Sequence, residues 1–205
     1  MTTPTVGILL AAGAGTRFGG GKLLAPLHGK PLALHALAAL QTALDEVIAV
    51  VRPGDDDLHT ALQGGGARVV LCPQAAGGMG FSLACAARQI PAGYNVLVAL
   101  GDMPAIQPHT VRCIRAALDA GAGIAVPTCR GRRGHPVGFA AGFVAALASL
   151  DADQGARALL RLNADQVQEV AVDDAGILTD IDFPADLAAA QDSAEPGFMR
   201  LGTQN

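Results

Sequence analysis

Five short runs in this chain of 205 residues are apolar almost without a break: Val6 to Ala11, Val47 to Val51, Arg68 to Cys72, Val96 to Leu100 and Ile124 to Pro127. A strand with one wet face alternates apolar and polar residues, so near-continuous runs are expected of strands covered on both faces. Helical patterns separate them. Pro31 to Leu44 starts with proline in a first turn and repeats leucine at positions 34, 37, 40 and 44. Asp55-Asp56-Asp57 supplies caps and negative charge for a helix to about Gln63, where Gly64-Gly65-Gly66 ends it. Gly80 to Gln89 and Gln107 to Ala120 give two more helices. Strand alternating with helix, each crossover right-handed, predicts an α/β fold: a doubly wound, mostly parallel sheet with helices on both faces. Such sheets bind ligands outside the carboxyl ends of their strands, so those loops carry the functional information.

The composition fits this layering. The chain is 51% hydrophobic but only 3% aromatic, with no Trp. Its core must therefore be Ala, Leu, Val and Ile, small enough to let helices lie close on a sheet. After Thr128 the rhythm changes: CRGRRGHPVGF is a polar, glycine-broken loop running into a strand. Helical stretches follow near Ala140 to Leu150 and Gly155 to Leu162, then late strands at Val167 to Val172 and Ile177 to Ile181, and a closing helix at Pro184 to Ala190. Residues 1–191 are expected to form one domain and 192–205 a frayed polar tail. A net charge of −4 argues against nucleic acid as a partner, since a polyanion needs clustered Lys and Arg. Cys72, Cys85, Cys113 and Cys129 lack CxxC spacing and read as buried free thiols. The N-terminus has no basic region, and its apolar run is too short to span a membrane, which predicts a cytoplasmic protein without a signal peptide.

The first strand opens into Leu9-Leu10-Ala11-Ala12-Gly13-Ala14-Gly15-Thr16-Arg17-Phe18-Gly19-Gly20-Gly21-Lys22. Glycines directly after a strand let the backbone approach a ligand and aim amide N–H groups into one concavity, which suits phosphate. The dinucleotide fingerprint starting at Gly13 fails at Phe18, and the P-loop ending in Gly21-Lys22 fails at Thr16 and Leu23. What remains can hold a nucleoside triphosphate for attack at its α-phosphorus, with Arg17 and Lys22 neutralising the phosphates as pyrophosphate leaves. The plain alternative is a glycine-rich turn carrying two solvated cations.

Three other stretches belong to the same reading. NVLVAL ends in Gly101-Asp102-Met103-Pro104, which puts a carboxylate at a strand's carboxyl end, placed to ligate Mg²⁺ or to cap a helix. Gly77-Gly78-Met79-Gly80-Phe81-Ser82 opens a helix whose free N–H groups suit a carbonyl or phosphate, with Ser82 as a ligand contact or a cap. Arg130 to Pro136, RGRRGHP, gathers three arginines around His135 in a basic, mobile loop suited to an acidic second substrate. Asp180 and Asp182 share one face of an extended segment, and one of them can complete the metal site or cap the last helix.

These motifs resemble those of the nucleotidyltransferases that share the fold of the molybdenum cofactor guanylyl- and cytidylyltransferases, over Val6 to about Ala190. The likeness is strongest to the cytidylyltransferase branch. LAAGAGTRFG with Lys22-Leu23-Leu24, GDMP, GMGxSL, GRRGHPxxF and DIDxPxDL are all present, with Phe18 replacing Met, Cys72-Pro73 replacing Asn-Pro and Phe183 replacing Thr. The resemblance implies Mg²⁺ on Asp102 and Asp182 and catalytic roles for Arg17, Lys22 and Asp102. It implies nucleotide contacts from Ala11, Ala12, Gly13, Gly15, Arg17, Lys22, Gly80 and Ser82, and acceptor contacts from Arg132, Arg133 and His135. Ala-Ala-Gly at 11–13, where the guanylyl branch has Ala-Gly-Gly, implies a base pocket narrowed by a methyl and favours CTP. The expected reaction is CMP transfer from CTP to the phosphate of molybdopterin, with a molybdenum hydroxylase as client of the product. The alternatives are another phosphate acceptor, such as a sugar phosphate, or a carrier of the cofactor without turnover.

Overall fold

Four of the five apolar runs are buried in the computed structural model, which describes residues 3–151 and 155–192, while the run 68–72 forms an edge strand whose Arg68 and Leu71 are exposed. β1 (Thr5–Leu10) is followed by a small hairpin of β2 (Pro26–Leu27) and β3 (Lys30–Pro31), then by α1 (Leu32–Gln41), β4 (Glu46–Val51), α2 (Asp56–Gly64) and β5 (Arg68–Leu71). Next come α3 (Met79–Ala87), β6 (Asn95–Leu100), α4 (Pro108–Asp119), β7 (Ile124–Cys129), β8 (Arg132–Arg133) and β9 (Val137–Phe139). The described part closes with α5 (Val144–Ala148), α6 (Arg157–Leu162), β10 (Val167–Ala171) and α7 (Pro184–Asp192).

The main sheet runs β10-β7-β9-β6-β1-β4-β5, with β8 added to β7. β1 is parallel to both β4 and β6, β4 to β5 and β7 to β10, while β9 runs antiparallel between β6 and β7. The sheet is thus mostly parallel, as expected. Along each central strand, alternate residues enter opposite layers. Leu9, Val47, Ala49, Val51, Leu97 and Ala99 pack with α1, α2 and α4 on one face. Ile8, Leu10, Ile48, Val50, Val96 and Val98 pack with α3 and α5 on the other. β4 lies on one side of β1 and β6 on the other, so the strand order reverses beside β1. That reversal opens a crevice at the carboxyl ends of β1 and β6. No described helix is long and apolar enough to cross a membrane.

Several expectations need correction. Ile177 to Ile181 is not a strand: residues Ala175–Leu178 make a 3₁₀ turn, started by the Asp174 side chain accepting a hydrogen bond from the Gly176 N–H. The backbone of this stretch bonds to loops instead, Ile177 O within the turn accepting from His135 N and Ile181 N beyond it donating to Asp102 O. The stretch 140–150 is broken into a 3₁₀ turn, Ala141–Phe143, and the short α5. Asp55 holds the N-cap position of α2, yet its carboxylate caps nothing and forms a two-pronged ion pair with Arg52 at 2.9 and 3.1 Å. The basic segment is a closed hairpin rather than a mobile loop: β8 pairs with the end of β7 through a two-residue turn in which Arg130 (φ 51°) and Gly131 (φ 73°) are both left-handed. α7 runs through Asp192, where the tail was expected to begin, and residues 193–205 lie outside the described part.

Candidate active site

The glycine loop is built by its backbone. Ala11 continues β1 by donating to Val50 O, and buried Ala12 forms a wall. Gly15, left-handed at φ 59°, begins a 3₁₀ turn over Thr16–Phe18, and its carbonyl accepts from Phe18 N at 3.0 Å and Gly20 N at 3.2 Å. Gly19, Gly20 and Gly21 follow at φ 93°, 97° and 64°, a left-handed succession that side chains would strain. The path folds back until Lys22 Cβ lies 3.3 Å from where a Cβ on Gly15 would stand. Lys22 is thereby carried from the far end of the loop to the start of the crevice.

β6 delivers the second component. After Leu100 the chain turns at buried Gly101, whose N–H donates to Leu10 O, so Asp102 emerges beside the end of β1. Lys22 Nζ donates to Asp102 Oδ2 at 2.8 Å and to Asp182 Oδ1 at 3.2 Å, and Arg17 Nη1 donates to Asp182 Oδ2 at 2.8 Å. Four charged groups from three distant stretches of the sequence thus meet in one chain of ion pairs. Burial pulls the Lys22 ammonium down, but its bonds to the two carboxylates outweigh this and hold it above its ordinary value of 10.5. The Lys22 bond, reinforced by Arg17, keeps Asp182 below 3.8 against the opposing effect of burial. Asp182 does not cap α7; Asp186 does, accepting from the N–H groups of Asp182 and Phe183 at 2.9 and 2.7 Å.

Two hollows flank Lys22. One of about 370 Å³ is lined by the glycine loop and Lys22 on one side and by Arg52 with Asp55, Asp56 and Asp57 on the other, so acidic groups outnumber the basic ones in its wall. The other, about 470 Å³, is lined by Ala12, Gly13, Gly15, Lys22, Arg52, Met79, Ser82 and Asp102 and is of the size that takes a nucleotide. Ser82 sits buried within α3, where Gly78 holds the cap position, so the capping role is excluded. Asp102 Oδ1 is buried without a hydrogen-bond partner. An orphaned carboxylate oxygen beside a second carboxylate is an all-oxygen donor set of the kind that suits Mg²⁺ or Mn²⁺, with substrate phosphates completing the shell. Among the described residues no cluster of three or more His, Cys, Asp or Glu forms a metal cage.

The acceptor candidates divide. His135 arrives between β8 and β9; its backbone N–H donates to Ile177 O at 3.1 Å and its ring Nδ1 lies 3.4 Å from Val98 O. Burial lowers its pKa and Arg157 reinforces this, against the Val98 carbonyl, Asp102 and Asp180, so the imidazole is neutral near pH 7. Arg133 turns to the sheet's outer edge, where Nε donates to Glu169 Oε1 at 2.7 Å, and alternation puts Arg132 on the opposite face. Arg52 and Arg157 escape the motif reading. For Arg52 the signal was there: it directly follows a strand's carboxyl end.

A family model described as "MobA-like NTP transferase domain" matches residues 7–170. A bifunctional protein GlmU from Halorhodospira halophila is 37% identical over 119 residues, 57% of this chain and 25% of that protein. A probable molybdenum cofactor guanylyltransferase from Thermococcus gammatolerans is 38% identical over 108 residues, 52% of each chain. The chain therefore spans about a quarter of the first relative and half of the second. Among solved structures, Rv0371c from Mycobacterium tuberculosis is 28% identical with a TM-score of 0.81, over 94% of this chain and 100% of that one. A manganese complex of Rv0371C is similar at a TM-score of 0.77 and 26% identity, again over 94% and 100%.

Proposed function

The chain belongs to the MobA-like NTP transferase domain family, and on that premise we propose that it transfers CMP from CTP to the phosphate of molybdopterin. A phosphate oxygen of the acceptor forms a bond to the α-phosphorus as the bond from that phosphorus to the bridging β-phosphate oxygen breaks, giving molybdopterin cytosine dinucleotide and pyrophosphate. The observation that carries this reading is the convergence of Arg17, Lys22, Asp102 and Asp182 beside the glycine loop. Arg17 and Lys22 neutralise the triphosphate and the departing pyrophosphate, while the amides of the loop orient it; alignment and charge neutralisation carry most phosphoryl-transfer catalysis. Asp102 and Asp182 would hold Mg²⁺, which when bound adds further neutralisation of the phosphates. The acceptor phosphate is already ionised at neutral pH, so a neutral His135 has no proton to remove. It orients the acceptor, with Arg132 contributing charge at the mouth. Ala12 in the cavity wall favours the smaller pyrimidine, a discrimination of about 1 to 3 kcal/mol. A cytoplasmic setting suits the four free thiols.

The test is pyrophosphate release by purified protein with Mg²⁺, molybdopterin and either CTP or GTP, with mass analysis of the dinucleotide product. CTP should be preferred, and Lys22→Ala should lower turnover about 10²- to 10³-fold, the scale of one lost preorganised donor. Exclusive use of GTP, in line with the guanylyltransferase relative, would overturn the base assignment. Turnover of a sugar phosphate with none of molybdopterin would overturn the acceptor.

A further inference from the structure

Asp174 is a carboxylate with only 2% of its surface exposed, and no motif or ion pair described so far involves it. Its Oδ2 accepts from Gln107 N at 2.9 Å and from Thr110 Oγ1 at 2.6 Å, and its Oδ1 accepts from Gly176 N at 2.9 Å. Two of these donors open α4, the helix that begins where the loop carrying Asp102 ends. The third starts the segment that leads to Asp182. The two segments then touch twice more. A Cβ on Gly176 would lie 2.0 Å from Ala105 O, so only glycine allows that approach, and Ile181 N donates to Asp102 O at 2.9 Å.

A buried anion needs enough donors to offset lost hydration, and bonds to a charged acceptor are stronger than neutral ones. Here the donors come from both segments that carry carboxylates into the crevice. We propose that Asp174 is a positioning residue: by clasping the 102–110 segment to the 174–182 segment it sets the separation of Asp102 and Asp182. The proposal rests on the reading of those two carboxylates as the divalent-cation ligands. An asparagine at 174 would keep the shape but turn one acceptor into a donor, facing an N–H or O–H that also donates. The clasp then opens on one side and the two carboxylates lose their register.

The experiment measures Mn²⁺ binding by electron paramagnetic resonance, with no turnover involved, alongside CTP binding in EDTA. Asp174→Asn should weaken Mn²⁺ about tenfold or more while CTP binding without metal stays within about twofold, a split that a merely structural role would not produce. Thr110→Val, which deletes one donor and leaves both N–H bonds in place, should weaken Mn²⁺ about threefold and guards against a failure of Asp174→Asn to fold. Native Mn²⁺ affinity in folded Asp174→Asn or in Thr110→Val overturns the clasp, as does an equal loss of Mn²⁺ and CTP binding. Asp102→Asn separates the two ideas. If it abolishes Mn²⁺ binding while the clasp variants do not weaken it, only the clasp falls. If it binds Mn²⁺ like the native protein, the reading of the carboxylates falls and the clasp with it.

Discussion

At the scale of single residues, burial sets the charge of His135. Its ordinary value is 6.5 and the folded value is lower, so above about pH 6.5 it is neutral folded or unfolded and costs nothing. As the pH falls through 6.5 the unfolded chain takes the proton while the folded one resists, and stability is lost until the folded value is reached. Each unit of difference is worth about 1.4 kcal/mol. Urea midpoints should therefore drop between about pH 7 and pH 5, and His135→Gln should flatten that drop. Asp182, held below 3.8, loses its contribution only in a more acid window. Of these groups the sequence made Arg17, Lys22, Asp102 and Asp182 legible, because glycine loops and strand ends mark themselves by residue type. The pairing of Arg133 with Glu169 was not legible because the partner of a two-residue strand is invisible in the sequence, and Asp174 was silent because a buried carboxylate looks like any Asp until its donors fold onto it.

Elements were readable where both faces of a strand are covered, as at Glu46–Val51 and Asn95–Leu100, since continuous apolar runs have few other uses. The segment 177–181 imitates a strand through Ile177, Thr179 and Ile181, yet its hydrogen bonds go to His135 and Asp102. Local pattern cannot report where backbone bonds end. The same contact makes Gly134 the tightest joint in the hairpin region: a Cβ there would lie 2.1 Å from Ile177 O and 2.7 Å from its carbonyl carbon, both backbone atoms that cannot turn aside. Gly134→Ala should cost about 1 to 3 kcal/mol in urea unfolding. Gly142→Ala, with nothing within 4 Å of the new methyl, should stay within about 0.5 kcal/mol of the parent protein.

For the whole molecule, the two apolar layers share the same central strands, with Leu9 facing one layer and Ile8 and Leu10 the other. Neither layer can lose its packing while the other keeps its sheet. Unfolding should be one cooperative transition, with far-UV circular dichroism and Tyr94 fluorescence coinciding in urea. Under the function proposed above, CTP with Mg²⁺ at about one hundred times its dissociation constant should add about 2.7 kcal/mol. Two separated transitions would mean that the layers melt independently. The reversed direction of β9 has a consequence for how such a molecule can diversify. Its first residue lies at the same rim as the last residues of β1 and β6, while the Arg130–Gly131 turn extends beyond β7 at that rim. Insertions in that turn would leave every strand in register, so descendants of this chain can vary the tip while the sheet and the glycine loop stay unaltered.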